Sequence, residues 1–437
     1  MTETSSCGFG GDGGGGKAWP SPWSGKGFLP SRETRLYRLG RVHDDGAAWE
    51  RAAARIPALL LGGGDAVATA VAGLPEFPLQ DVLASGSDVC VWRAMAVLAF
   101  LTHAFVWADG AANPRATLPS KLAVPLCQTA KYLDVQPVLS YAVYNLTNFA
   151  FINAADDDDI DDDEKEESAR IEPTLGSVYS PLCFNGGRDE MWFRAVHVAI
   201  EARFGTCLVD VAPMRQAIIE SDTKTIVSCL RALSSCLAAM EALLMRMGEG
   251  CDPYIYYHRV RQPMSGWRGN PLLPNGLVYE GVGDTGNNVT MMIYGETGAQ
   301  SAIIPAVDAL LGIEHQAGTW LTDYLRDMRE MMPRQHRHFL QELEAQTSVR
   351  PFIEVCKQDD RECCREVVDE YNQALDALQS FRGTHRDFAY RYISQFGKAA
   401  SANGSGDASG AAERGTGGTD FLPYLGAHRQ TTIKHKL

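Results

Sequence analysis

The 437-residue chain lacks the features that mark secreted, disulfide-built and membrane-spanning proteins. Its N-terminus, Met-Thr-Glu-Thr-Ser-Ser-Cys, has neither a basic nor an apolar segment, so we expect no secretory signal. Its eleven cysteines are odd in number, unevenly spaced and without a Cys-x-x-Cys pair, which predicts reduced, mostly buried thiols. The longest apolar run, 94–108, is shorter than the ~20 residues of a membrane span and predicts a buried core helix. Together these absences predict a cytoplasmic protein with no membrane partner.

The chain also has no basic face. Its formal charge is −14, but residues 156–167 hold ten acidic residues and Lys165 and contribute −9, which leaves about −5 for the rest. Because nucleic-acid binding depends on lysine and arginine neutralising phosphates, we predict no nucleic-acid partner. A block of like charges repels itself and is usually a solvated linker or an interaction tail. We interpret this one as an insertion between two domains.

Helical periodicity dominates the rest of the sequence. Apolar residues recur at helical rather than alternating intervals, over 47–61, 92–108, 124–151, 191–204, 211–247, 299–313, 316–331, 335–346 and 361–396. This pattern predicts an all-α fold with a smaller N-terminal helical domain, 34–153, and a larger C-terminal helical domain, 173–397. The remaining segments are predicted to be a disordered glycine-rich tail (1–33), an acidic linker insertion (154–172), a flexible loop (398–414) and a glycine-rich C-terminal segment (415–437).

One segment, 261–282, does not fit regular secondary structure. It contains four glycines, three prolines and the aromatics Trp267 and Tyr279, which argues against a helix and against a central strand. It predicts an ordered loop with buried anchors, and a long crossover between helices is the alternative. The segment begins at Arg261, whose planar guanidinium suits a carboxylate, with Tyr256 and Tyr257 nearby as surfaces for an aromatic ligand. A surface arginine stacked on a tyrosine would give the same pattern.

A histidine in the last long helical stretch falls in phase with the apolar residues. His385 shares the spacing of Tyr371, Leu375, Leu378, Phe388, Tyr392 and Phe396, so its imidazole is predicted to point inward. An inward histidine is either a core residue that satisfies its own hydrogen bonds or a metal ligand. The residues alone leave both interpretations open.

Three segments carry a resemblance to a known family. Residues 261–282, the sequence Ser-Phe-Arg-Gly-Thr-His at 380–385 and the sequence Gly-Thr-Gly-Gly-Thr-Asp at 415–420 resemble the indoleamine 2,3-dioxygenase family, haem enzymes that open the indole ring of tryptophan. Weaker agreement runs from about residue 80 onward. The resemblance implies haem b in the larger domain, an electron donor that keeps its iron ferrous, and a first step of the kynurenine pathway. In that step both atoms of O₂ enter the C2–C3 bond of L-tryptophan to give N-formylkynurenine.

The same resemblance implies roles for individual residues around the haem. His385 would ligate the iron, and Arg382 would pair with Asp308 beside the macrocycle. The turn 295–300, with Thr297 and Gly298, would approach a haem propionate.

On the substrate side, the resemblance places four side chains in the distal pocket, namely Phe193, His197, Tyr256 and Tyr141. Arg261 and Thr416 would hold the carboxylate and ammonium of the amino acid. His197 stands where mammalian members have serine and where the related tryptophan 2,3-dioxygenases have a histidine that bonds the indole N–H. His197 is therefore predicted to accept that proton, and a histidine capping a core contact is the alternative.

Two other functions remain open at this point. An oxygen-binding, myoglobin-like haem protein of the same fold would keep the haem site without useful catalysis. Retention of Arg261 and of the Gly-Thr-Gly-Gly-Thr loop favours the enzyme, because an oxygen carrier needs neither. An interaction protein acting through the acidic insertion would require the haem site to be vestigial.

Overall fold

The structure is a computed structural model that describes residues 21–30, 38–110, 113–152, 173–346, 348–359, 361–396 and 421–437. Within these ranges the protein is all-α, as predicted, with a few short strands. The acidic insertion, the loop 398–414 and Thr416 lie outside the described residues.

The first helical region precedes the acidic insertion. Its helices are α1 (Asp44–Ala54), α2 (Ile56–Leu61), α3 (Gly63–Ala72), α4 (Leu79–Ala84), α5 (Asp88–Trp107) and α6 (Ser120–Leu133). Within the stretch of helical periodicity at 124–151, α6 ends at Asp134, which adopts a left-handed conformation (φ 56°). A π-helical turn, Ala142–Leu146, follows.

The second region holds the remaining helices. They are α7 (Arg188–Val211), α8 (Met214–Glu220), α9 (Thr223–Met245), α10 (Pro253–Ile255), α11 (Ile303–Leu311), α12 (Trp320–Arg329), α13 (Arg334–Glu344), α14 (Arg350–Cys356), α15 (Glu362–Ala389) and α16 (Phe421–Lys434). The predicted helix 211–247 is two helices, because Ser221 takes a left-handed conformation and Asp222 then caps α9. Further π-helical turns, Tyr256–Val260 and Tyr390–Ser394, follow α10 and α15.

The segment 261–282 contains a strand that the sequence argument excluded. Short strands β1 (Thr117–Leu118), β4 (Leu277–Tyr279) and β5 (Val289–Met291) form one sheet in which β4 lies in the middle, while β2 (Ala150–Phe151) pairs with β3 (Val178–Tyr179). The prediction against a central strand is therefore wrong for residues 277–279. The strand is only three residues long, and Gly276 and Gly281, both at positive φ, lie just outside it, so the glycines flank the pairing without entering it.

The predicted buried anchors of this segment are confirmed. Trp267 and Tyr279 are fully buried, and the indole N–H of Trp267 donates a hydrogen bond to the Tyr279 hydroxyl at 3.0 Å. That hydroxyl in turn donates to the Pro137 carbonyl at 2.8 Å. The loop is thereby fixed to the first helical region.

Residues 21–30, which were predicted to belong to the disordered tail, are ordered. Phe28 is 1% exposed and packs against Phe204 and Phe339, with ring centroids 6.1 and 5.5 Å away. Gly27 and Gly205 lie backbone to backbone, and a Cβ at either would clash. Residues 21–30 thus pack against α7 through Gly27, Gly205 and the buried ring of Phe28. The glycine-rich composition alone did not indicate this packing.

The buried apolar residues of both regions form one continuous cluster. Helix α5 lies inside it, which confirms the predicted core helix at 94–108. Two helices, α5 and the stretch 223–249, have the length and hydropathy of a membrane span, and the apolar window of α5 is entirely buried in protein. All ten cysteines in the described part of the chain are free thiols and eight are buried, as predicted.

Candidate active site

A cavity lies between α7 and the end of α15. Helix α7 presents Phe193 and His197 to it, and α15 presents His385. The rest of its wall is mostly apolar or aromatic and consists of Leu244, Met247, Tyr256, Glu296, Thr297, Gly298, Ala299, Tyr324, Phe388, Ala389, Tyr392, Ile393 and Leu425. A mostly apolar cavity with a few polar groups is the usual form of a small-molecule site.

His385 points inward, as its phase on α15 predicted. Protein encloses the site of the ring, but a large part of the accessible surface of His385 remains uncovered. The reason is that the ring faces the cavity rather than packed side chains. Burial, and to a smaller extent the neighbouring His197, lowers the pKa of His385 to about 4. The imidazole is therefore neutral near pH 7, which is the form that ligates a metal.

His197 faces the cavity in a defined tautomer. Its Nδ1 lies 2.8 Å from the Phe193 carbonyl oxygen, which can only accept, so Nδ1 carries the proton and donates it. Burial lowers the pKa of His197, so the ring is neutral and Nε2 carries a lone pair. The helix backbone thus leaves His197 with one acceptor nitrogen available to a ligand.

Aromatic rings surround these two histidines. The Phe193 ring lies 4.4 Å from His197 and 4.9 Å from Tyr256, and Tyr256 lies 5.7 Å from Tyr392. Such close, tilted rings pack favourably with one another and with a flat ligand.

Arg261 and Tyr141 lie one layer behind the residues that line the cavity. The Tyr141 ring contacts the edge of His197 at 5.9 Å, and its hydroxyl donates to Glu201 Oε1 at 2.9 Å. Arg261 is buried, with its guanidinium carbon 5.4 Å from the Tyr257 ring centre. Its positive charge acts on Tyr256. Burial raises the pKa of that phenol, and Arg261 opposes part of this increase. The structure thus brings Phe193, His197 and Tyr256 together and places Arg261 and Tyr141 against them.

The predicted turn with Thr297 and Gly298 forms another part of the wall. Thr297 caps a short 3₁₀ turn, Gly298–Gln300, by accepting a hydrogen bond from the Ala299 N–H at 3.5 Å. A Cβ on Gly298 would project into open space. This backbone therefore borders the cavity without filling it.

A second cavity shares Gly298, Ala299, His385 and Leu425 with the first. Its wall includes Arg382, which donates to both carboxylate oxygens of Asp308 at 2.7 and 2.8 Å. The predicted pairing of these two residues is thus present. His315 Nε2 lies 3.0 Å from the same carboxylate.

Sequence reasoning missed several cavity residues, above all Glu296 and Leu425. Leu425 belongs to α16, whose helical pattern was not recognised because the glycine-rich stretch precedes it. Glu296 is 3% exposed, accepts a hydrogen bond from Asn145 Nδ2 at 3.0 Å and has its pKa raised by burial to about 7. The available signal was an acidic residue inside the turn 295–300, directly before Thr297 and Gly298, which were already assigned to the site.

The arrangement fits a haem. His385 offers one neutral imidazole to open space, and aromatic and aliphatic side chains provide the faces that a flat macrocycle needs. Among the described residues no three His, Cys, Asp or Glu side chains converge to hold a metal ion. His385 would therefore hold an iron that the macrocycle, rather than other protein side chains, supplies with its further ligands, and Gly298 lines the same cavity.

Comparison with known proteins agrees with this geometry. The family model described as indoleamine 2,3-dioxygenase matches residues 24–435. Indoleamine 2,3-dioxygenase 1 of Rattus norvegicus is 31% identical over 340 residues, covering 77% of each chain. Indoleamine 2,3-dioxygenase acdA of Aspergillus candidus is 31% identical over 417 residues, covering 93% of this chain and 94% of its own, and the Saccharomyces cerevisiae enzyme is 29% identical over 416 residues, covering 88% and 86%. The chain therefore belongs to the indoleamine 2,3-dioxygenase family and is a dioxygenase.

Proposed function

We propose that the protein uses haem b to insert both atoms of O₂ into the C2–C3 bond of L-tryptophan, giving N-formylkynurenine. The observation that carries the proposal is the pair of histidines that line one aromatic cavity, His385 on α15 and His197 on α7, within electrostatic reach of each other. His385 could hold a haem iron, and His197 would offer an acceptor nitrogen to a substrate in the same cavity. We also propose a cytoplasmic location and a separate electron donor, both on sequence grounds alone.

The bound haem would supply O₂ activation, and His385 would hold its iron. The chain itself would bind, orient and exclude water. Thr297 and Gly298 would border the haem edge, and Arg382 with Asp308 would form a buried ion pair beside His385.

Phe193, Tyr256 and His197 would hold the indole. The two aromatic rings lie 4.9 Å apart and leave a face against which a third flat ring can pack. His197 Nε2 would accept the indole N–H, since Nδ1 is already committed to the Phe193 carbonyl. Fixing the ring at both its face and its nitrogen restricts its orientation toward O₂, and such positioning is a large part of catalysis.

Arg261, together with Thr416, would bind the substrate carboxylate. Support for Arg261 comes from its burial and its electrostatic effect on Tyr256, which lines the cavity. Tyr141 would act through His197, which it contacts at the ring edge, while Glu201 holds its hydroxyl.

A product assay under isotopic oxygen tests the proposal. The full chain, loaded with haem and supplied with a reductant and L-tryptophan under ¹⁸O₂, should form N-formylkynurenine that contains two ¹⁸O atoms by mass spectrometry. One labelled atom would contradict the dioxygenase step on tryptophan. Reversible O₂ binding by the ferrous protein without any product would instead support the oxygen-binding alternative.

A further inference from the structure

Glu296 is a buried carboxylate in the wall of the substrate cavity. It follows β5 in the chain, and its backbone N–H donates to the Met264 carbonyl at 3.1 Å. Asn145, from the π-helical turn Ala142–Leu146, donates to its Oε1 at 3.0 Å. One segment thus holds the backbone of Glu296 and another its side chain, and the residue lines the cavity although it is only 3% exposed.

Burial makes the ionised form of this carboxylate costly. Desolvation raises the pKa of Glu296 to about 7, while Asn145 and Arg194 favour its charged form. Its charge also reaches the hydroxyls of Tyr141, Tyr144 and Tyr256. A cation entering the cavity would therefore interact with the carboxylate in a low-dielectric setting, where such a contact is strong.

The charges near Tyr256 match the two charges of an amino acid. The Tyr256 phenol lies within electrostatic reach of Glu296, which raises its pKa, and of Arg261, which lowers it. A zwitterionic amino acid carries its ammonium and carboxylate on one carbon atom. Tyr256, which lines the cavity, therefore experiences both an anion and a cation.

We propose that Glu296 binds the α-ammonium group of the substrate and so selects indole compounds that carry an amine. This inference rests on the proposed function, because it assigns the substrate's ammonium to a residue of the same site. Glu296 acts as a binding and specificity residue, with Asn145 holding one carboxylate oxygen so that the carboxylate stays at the cavity wall.

The competing explanation is purely structural. In that case Glu296 serves only to accept the Asn145 hydrogen bond and to join the 295–300 turn to the Ala142–Leu146 turn. A glutamine at position 296 could keep that hydrogen bond through its carbonyl oxygen, and binding of charged ligands would not change. The two explanations therefore differ in Glu296→Gln.

Equilibrium binding to the haem-loaded full chain distinguishes them. Dissociation constants would be measured from the change in haem absorbance for L-tryptophan, for tryptamine, which has the ammonium without the carboxylate, and for indole-3-propionate, which has the carboxylate without the ammonium. Glu296→Gln should weaken tryptophan and tryptamine at least tenfold and leave indole-3-propionate within about twofold.

Glu201→Gln is the matched control. Glu201 is a second fully buried glutamate with a pKa raised to about 7, but it accepts from Tyr141 and Ser301 and does not line the cavity. Its replacement should change the three dissociation constants by a similar factor. The ratio of tryptamine to indole-3-propionate affinity should therefore move only in the Glu296 variant.

The remaining outcomes also decide the matter. Equal effects of Glu296→Gln on all three ligands would overturn the inference. If Glu296→Gln does not take up haem, Glu296→Asp provides the test, because it keeps the negative charge. The Asp variant should retain the preference for amines. Loss of that preference in a folded, haem-loaded Asp variant would also overturn the inference. A parent protein that binds amines through Glu296 but forms no N-formylkynurenine would refute the proposed function and leave the inference standing.

Discussion

The clearest test of the substrate pocket concerns the hydrogen bond assigned to His197. Nδ1 donates to the Phe193 carbonyl at 2.8 Å, and the lowered pKa of the ring keeps it neutral, so Nε2 can only accept. The perturbation is to remove the proton that it would accept. 1-Methyl-L-tryptophan lacks the indole N–H and carries a methyl group in its place.

The expected size follows from the burial of the acceptor. Leaving a buried acceptor without its hydrogen bond costs about 1–3 kcal/mol, which corresponds to a decrease in kcat/KM of roughly fivefold to 150-fold. Part of any decrease with the methylated substrate is steric, and His197→Ser separates the two contributions. The smaller side chain relieves the clash and removes the acceptor, so the ratio of kcat/KM for the two substrates should approach one.

The assay is steady-state formation of the formylated product from each substrate by the parent and by His197→Ser, with haem content measured for both. Tyr141→Phe is a useful companion, because it keeps the ring that contacts His197 and removes only the hydroxyl held by Glu201. That variant should retain the discrimination against the methylated substrate. Equal turnover of both substrates by the parent would show that His197 does not accept a hydrogen bond from the indole N–H.

Three other changes have defined outcomes. His385→Ala should leave a folded protein with little bound haem, and a Soret band of unchanged intensity would exclude His385 as the ligand. Arg261→Ala should keep the haem spectrum and lower kcat/KM for tryptophan by about a hundredfold or more, with little effect on tryptamine; activity equal to the parent's would make Arg261 a packing residue on Tyr257. His103 donates through Nδ1 to the Pro263 carbonyl and accepts through Nε2 from the Leu139 N–H, and burial lowers its pKa to about 4. In the unfolded chain His103 binds a proton near pH 6.5, whereas in the folded protein it does so only near pH 4. The free energy of unfolding should therefore fall as the pH drops from 6.5 to 4. In urea titrations, His103→Gln should show a smaller fall than the parent protein.

Much of the fold could be predicted from the sequence because helical periodicity is a local property. The inward direction of His385 followed from the spacing of its apolar neighbours, and the helix at 94–108 followed from its composition. Helix ends were less predictable. Asp134 and Ser221 end helices by adopting a positive φ. Aspartate and serine usually have a negative φ, so their residue type did not indicate where these helices end.

Elements stabilised by distant contacts could not be read from sequence. Strand β4 exists because residues 117–118 and 289–291 pair with it from both sides, and no feature of residues 277–279 alone specifies those partners. Phe28 is ordered because α7 and α13 provide its pocket.

Residues could be assigned to the site from the sequence where their type allows few chemical roles, and less well where their position depends on packing. The family resemblance assigned His197 and His385 to the site, while the residues alone indicated only that His385 points inward. Glu296 was not assigned to it, because most glutamates in turns are solvated, and its burial depends on Asn145 and on the whole cavity wall. The placement of Arg261 and Tyr141 behind the lining residues depends on three-dimensional packing of the same kind.

The attachments of the 261–300 segment to the first helical region also constrain the order in which the chain can fold. His103 and Trp107, near the end of α5, bond to the carbonyls of Pro263 and Ser265, and the Tyr141 N–H bonds to the Gln300 side chain. Partners more than 150 residues apart cannot meet on the ribosome until the later segment has emerged, and such non-local contacts slow folding. The helices before residue 153 are therefore expected to stay incompletely packed, and exposed to chaperones and proteases, until more than half of the chain has been synthesised.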